Sequence, residues 1–272
     1  MPAIDLVRLR QEALQLTELF SNPSLFLSQL YNLLEAYAQP ASRRGDGQHS
    51  AVTLPTFRVP PAVLKQIHFE LQAMAQADPG QALSLADALW AQRSLEHRIL
   101  AARLLGSAPA IPAKQTLDRL TAWVETNREE SLLVELAENG CAHLRQENPS
   151  TLIEFAWDCL GSGDIRRQSL ALLALRPLLT RTNYANLPAL FEILAPIAND
   201  PPKRLRPYLT SLLEALSERS PMETLYFLEQ SLTENPGEGT RWLARQALKY
   251  LPAEGQERLR AALQQASPNE GK

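Results

Sequence analysis

Apolar residues recur through most of this chain at the three- and four-residue spacing of an amphipathic helix, and short runs of Pro, Gly, Asn and Asp interrupt them. One such stretch, Asp78-Pro79-Gly80-Gln81-Ala82-Leu83-Ser84-Leu85-Ala86, returns in register as Asn148-Pro149-Ser150-Thr151-Leu152-Ile153-Glu154-Phe155-Ala156, and a third copy begins at Ser220-Pro221. Proline fixes its own φ and lacks the amide that a helix start leaves unpaired, so a polar residue, proline and then apolar positions predict a helix N-terminus. Register persists beyond the first helix: Leu100, Ala101 and Leu105 stand seventy residues before Leu170, Ala171 and Leu175. A period of about seventy residues is two helical hairpins of about thirty-five, the spacing of tetratricopeptide and HEAT-type arrays.

The pattern predicts a hairpin over 3–20 and 23–38, with Asn22-Pro23 as its turn. It then lapses from Gln39 to Arg58, a stretch holding Pro40, Arg43-Arg44-Gly45-Asp46-Gly47 and Pro55, which predicts a long mobile loop. From Pro60-Pro61 helices resume over about 61–77, 79–92, 94–106, 114–127, 129–146, 149–161, 164–180, 185–199, 203–218, 221–234, 239–251 and 253–266. Ser267 to Lys272 is expected to fray. Short connections force neighbouring helices antiparallel. The expected fold is all-α: a right-handed superhelical α-solenoid of antiparallel HEAT-like hairpins, in which an N-terminal hairpin (1–38) and a loop (39–58) precede the array (59–266) and the tail (267–272). In such arrays the second helix of each pair lines a concave face that can hold a large ligand.

Composition supports helices, since glycine numbers only 11 in 272 residues while leucine dominates a 45% hydrophobic content. Cys141 and Cys159 stand without a CxxC or a histidine pair, so neither a disulfide framework nor zinc is indicated, and His49, His68, His97 and His143 have no ligand spacing. No apolar run is long enough to span a bilayer, and Asp5 and Glu12 stand where a signal peptide would be basic and then apolar. A cytoplasmic protein without a cofactor is expected. The formal charge of -3 argues against whole-body attraction to nucleic acid but allows a local basic surface.

Arginines recur near the starts of corresponding second helices: Arg98 and Arg103, then Arg166 and Arg167, then Arg241 and Arg245. Spaced, always-charged, forked donors suit a phosphate backbone. The same residues would equally suit stems laid over apolar surface and bridges to Glu96, Asp164 and Glu238. Trp90, Trp123 and Trp157 sit among apolar residues and are expected in the core, whereas Trp242 and Tyr250 share a helix with Arg241, Arg245 and Lys249 and could stack on a base. No phosphate loop, nucleophile elbow, HExxH or paired glycine motif is present.

The run Phe57-Arg58-Val59-Pro60 with Leu64 and Ile67, then Ala82-Leu83, Ala88-Leu89-Trp90, Glu96 and Leu100-Ala101-Ala102-Arg103-Leu104-Leu105, resembles the DNA alkylation repair family of HEAT-like glycosylases. The likeness continues through Trp123-Val124, Asp164-Ile165-Arg166-Arg167-Gln168-Ser169 and Ala247-Leu248-Lys249-Tyr250. It implies DNA in the concave groove, two tryptophans and an aspartate around a damaged purine nucleotide, and Arg166 and Arg167 at phosphates. Here Arg128 stands where the aromatic belongs and Leu132 where the carboxylate belongs; a shift of register offers Glu135, and Tyr250 takes the second tryptophan's place. Loss of an electron-rich wall and a positioned anion removes what stabilises a cationic sugar. Three readings follow: a non-catalytic DNA-binding member using Arg98, Arg166, Arg167, Arg241, Arg245 and Tyr250; a scaffold gripping a protein partner in the groove; and an active alkylpurine glycosylase using Glu135.

Overall fold

A computed structural model describes residues 5–39, 54–109 and 111–266, and every regular element among them is helical. In chain order these are α1 (Leu6–Glu18), α2 (Pro23–Ala36), α3 (Pro61–Ala77), α4 (Pro79–Trp90), α5 (Leu95–Leu105), α6 (Ala113–Thr126), α7 (Glu130–Glu135), α8 (Ala142–Glu147), α9 (Pro149–Gly161), α10 (Ile165–Arg181), α11 (Leu187–Asn199), α12 (Arg206–Arg219), α13 (Pro221–Glu234), α14 (Glu238–Ala247) and α15 (Ala253–Gln265). The expected all-α class is what is observed. Starts at Pro79, Ala113, Pro149, Leu187, Pro221 and Ala253 follow one another at about 35 residues. Prolines stand in the first turn of α2, α3, α4 and α13, and Asn22 and Asp78 cap α2 and α4 by accepting from Leu25 N and Gln81 N.

The chain forms two compact units, residues 1–148 and 149–272. In the first, α1, α3, α5 and α7 pack side by side as one layer. The other layer holds α2, α4 and α6; there Trp90 of α4 stacks on Trp123 of α6 with centroids 4.4 Å apart, and Arg119 of α6 pairs with Asp87 of α4 at 2.7 Å. Both tryptophans are buried, as their apolar settings predict. In the second unit α9, α11, α13 and α15 form one layer and α10, α12 and α14 the other, with fully buried Leu170, Ala171 and Leu175 of α10 at the seam.

Three features depart from the expectation. The single helix foreseen over 129–146 is broken between α7 and α8 by a π-turn, Leu136–Gly140, closed by Cys141 N donating to Leu136 O at 3.0 Å. Packing explains it: Gly106, the C-cap of α5, lies so close that a Cβ there would overlap the backbone carbonyl of Asn139, and only a locally widened turn meets it. The C-terminal part of the foreseen loop is tied down. Leu54 N donates to Glu129 at 2.9 Å, and the buried Glu96 accepts from Thr56 Oγ1 at 2.7 Å and from Arg58 N at 2.8 Å, holding Arg58 at φ 57°. Residues 40–53, with His49, and the tail 267–272 lie outside the described residues. Lastly, Trp157 is not in the core: on α9 its side chain is 53% exposed, because α9 turns Phe155 and Ala156 inward instead.

Candidate nucleic-acid interface

The expected arginines do not act as one set. Arg98, in the first unit, spends its Nε on two carbonyls, Trp90 O and Gln92 O, each at 3.1 Å, and lays its guanidinium 5.1 Å from the Trp90 ring centroid. It thereby closes the turn between α4 and α5, where α4 leaves carbonyls without helical partners. Burial, with Arg93 second, lowers its pKa from the ordinary arginine value.

In the second unit Asp164 caps α10, accepting from Arg166 N at 2.8 Å and Arg167 N at 3.0 Å. In these bonds the adjacent acid serves the backbone. Arg167 turns inward to hydrogen-bond Cys159; burial pushes that thiol up to about 11 while Arg167 works against the shift. Arg241 donates from Nη1 to Ala266 O at 3.2 Å, pinning α14 to the end of α15. Arg245 is exposed on α14, and Tyr250 is half-buried beyond its end. Arg206, at the first position of α12, lies 4.8 Å from the Trp242 ring centroid and donates from Nε to Pro201 O at 3.3 Å. One face of Trp242 is therefore already taken by a cation. Sequence reasoning passed over Arg206, although it opens a second helix just as Arg166 stands near the start of α10.

A larger pattern emerges once helices are assigned to layers. The first-helix layer of the second unit carries Glu154 and Asp158 on α9, Glu192 on α11, and Glu223, Glu229 and Glu234 on α13, with no lysine or arginine on those three helices. The opposite layer carries Arg166, Arg167, Arg176 and Arg181 on α10, Arg206 and Arg219 on α12, and Arg241 and Arg245 on α14, against Glu214, Glu218 and Glu238. The fourth helix of the first-helix layer, α15, balances Glu254 and Glu257 with Arg258 and Arg260, and Arg258 pairs with Glu229 at 2.7 Å, so in a chain of net charge -3 the positive charge of this unit gathers on α10, α12 and α14 while acids prevail on α9, α11 and α13.

The carboxylate alternative looks different again. Glu135 meets Arg103 through Oε1 to Nη2 at 2.6 Å and Oε2 to Nε at 3.2 Å, and Asn139 Nδ2 donates to the same Oε2 at 2.6 Å. Next to it Ser107 Oγ donates to Arg103 O at 2.9 Å and meets His68 Nε2 at 2.8 Å. Burial first, and Arg103 second, hold the His68 pKa down at about 4, so the ring is neutral at pH 7. Leu132 is fully buried, and Arg128 donates to Glu125 O at 3.2 Å and Asn127 O at 3.3 Å. Among the described residues no group of histidines, cysteines and carboxylates could hold a metal, and no helix is long and apolar enough to cross a membrane.

Comparison with known families gives a match to the family described as DNA alkylation repair enzyme over residues 30–251. No curated protein and no solved structure matches the chain.

Proposed function

Because this chain belongs to the DNA alkylation repair enzyme family, we propose that it is a HEAT-like repeat protein that binds duplex DNA and does not excise bases. The observation that carries the reading is the segregation of charge in the second unit: eight arginines against three glutamates on α10, α12 and α14. In this reading the hairpins continue as a right-handed superhelix whose second helices line the concave side, with the array over 59–266 and the hairpin 1–38 and loop 39–58 before it. Arg245, exposed on α14, then meets phosphates directly, and Arg166, itself held by an interaction within the protein, lies along the same layer. Arg98, Arg167 and Arg241, each bonded to a neighbouring protein atom, set the shape of the surface and contribute field more than direct contact. Tyr250 and Trp242, both half-buried, are the aromatic side chains at one end on which a base could stack. The protein works in the cytoplasm and needs no cofactor.

Lack of excision rests on the first unit. A carboxylate that steadies a sugar cation must keep its negative charge for that cation, and Glu135 is engaged by a forked guanidinium and an amide. A buried leucine and an arginine stand at the positions the family resemblance would give to the acid and the aromatic.

A mobility-shift series with the full chain and a duplex tests the binding. Affinity is expected to fall by about tenfold or more between 50 and 200 mM salt, as several phosphate contacts require. Absence of any shift at the lowest salt overturns the reading. In parallel, methylated DNA is expected to release no free alkylated purine, and a release that disappears in Glu135→Gln would restore the glycosylase.

A further inference from the structure

Tyr31 of α2 is an exposed aromatic whose ring meets Phe57 edge-on, at 5.2 Å between centroids, and Phe57 in turn lies 6.0 Å from the ring of His97 on α5. With Pro55 these rings wall a recess of about 360 Å³ within the first unit, a volume that suits a small ring and little more. Some of its polar groups are already engaged. Thr56 Oγ1 donates to Glu96 at 2.7 Å and accepts from Arg58 N at 3.0 Å, and Gln92 Nε2 donates to Ala88 O at 3.2 Å. Ser94 Oγ, the cap of α5, accepts from His97 N, so its one proton goes to His97 Nδ1, 2.6 Å away. Burial lowers the pKa of that ring, which is neutral at pH 7, and an accepting Nδ1 places the ring proton on Nε2. His97 is only 4% exposed, yet Nε2 has no hydrogen-bond partner among the described residues and is not sealed from the recess. Arg93, exposed at the rim, has neither ion pair nor hydrogen bond among them.

Both of these open groups are donors, one of them charged, and the surroundings keep that sign. The carbonyls Trp90 O and Gln92 O beyond α4 are taken up by Arg98 Nε, and the recess sits at the first turn of α5, the positive end of that helix. Arg93 and Arg98 lie close enough across this turn to act on each other's charge. The adjacent carboxylate, Glu96, is buried with Oε1 on Thr56 and Arg58 N, and the exposed Glu35 stands one turn along α2 from Tyr31; neither lines the recess. The Gln92 carbonyl and the Tyr31 hydroxyl are uncharged and leave the sign as it is. We propose that the recess binds a small aromatic carboxylate, its ring against Phe57, Tyr31 and Pro55 and its oxygens on His97 Nε2–H and the Arg93 guanidinium. The forked donors of an arginine match a carboxylate, and a flat ring meets the aromatic corner by edge and face. A cation is disfavoured by the two arginines and by the outward N–H of His97. The proposal is independent of DNA binding, because it uses none of the arginines of α10, α12 and α14.

The full chain is titrated calorimetrically with phenylacetate and with indole-3-acetate, and with two controls: acetate, which lacks the ring, and phenylacetamide, which lacks the charge. At least one of the two acids is expected to bind saturably at one site per chain, and both controls about tenfold more weakly or less. Arg93→Gln, which replaces an exposed side chain without protein partners, is expected to weaken the acid by about tenfold or more, and Arg93→Lys severalfold, since it keeps the charge without the fork. A second measurement reports His97 directly. Ring-nitrogen NMR, with His97→Phe to assign the signal, is expected to show the proton on Nε2 in the free protein and to move that signal when the acid is added. No saturable binding of either acid, equal binding by wild type and Arg93→Gln, a control that binds as tightly as the acids, a ring proton on Nδ1, or displacement of the acid by excess duplex DNA would each overturn the proposal. A mobility shift of the duplex that is unchanged by saturating acid keeps this test separate from that of DNA binding.

Discussion

Glu96 shows at the scale of one residue how a family-like motif can be structural. It belongs to the string of Leu89-Trp90, Glu96 and Leu100-Ala101-Ala102-Arg103 that carries the resemblance, and every polar member of it has an internal task. Trp90 stacks on Trp123, Glu96 anchors Thr56 and Arg58, and Arg103 grips Glu135. Glu96→Ala is expected to cost about 1–3 kcal/mol, because two hydrogen bonds to a buried carboxylate are lost and Arg58 N keeps only Thr56 Oγ1 as acceptor. Urea denaturation measures the loss, and faster proteolysis around 54–58 shows where it falls. His68 gives a pH dependence. Its folded pKa of about 4 lies below the ordinary 6.5, so between those values the unfolded chain binds more protons and stability declines as pH falls from about 6.5 toward 4. The full effect is on the order of 3 kcal/mol. Unfolding curves at pH 7.5 and pH 5 should differ less for His68→Gln, which retains a nitrogen for Ser107 without titrating. None of these partners was legible in the sequence, since Arg103 and Glu135 are joined only by the packing of α5 against α7.

Elements were far more legible. Proline and polar caps mark helix starts through local backbone geometry, and Asp78-Pro79 and Asn22-Pro23 open α4 and α2 where they were expected. The break between α7 and α8 was not foreseen, because Leu132, Leu136 and Leu144 keep helical spacing across it. Its cause is the approach of α5, which only tertiary packing supplies. Gly106→Ala puts a methyl group into the Asn139 carbonyl, against backbone that cannot swing aside, and is expected to destabilise by about 2–4 kcal/mol despite alanine's better helix propensity. Thermal unfolding tests the sign. A mutant as stable as the wild type would mean that α5 and the π-turn can part without loss.

For the whole molecule, charge matters by layer and not by sum. The formal charge of -3 points away from nucleic acid, yet α10, α12 and α14 gather arginines while α9, α11 and α13 hold only acids. If phosphates lie along the arginine layer, Arg166→Glu and Arg245→Glu should each lower the slope of log affinity against log salt by about one, and Glu154→Lys on the opposite layer should leave that slope unchanged. Periodicity along the chain dictated the helices and their pairing, because backbone hydrogen bonds and apolar spacing act within a few residues. Direction was settled elsewhere. Arg98 bends onto carbonyls of α4's end, Arg167 toward a thiol, and Trp157 outward while Trp90 and Trp123 go in. Each outcome depends on which neighbour fills the space beside that helix, and that neighbour arrives only when helices distant in sequence are stacked.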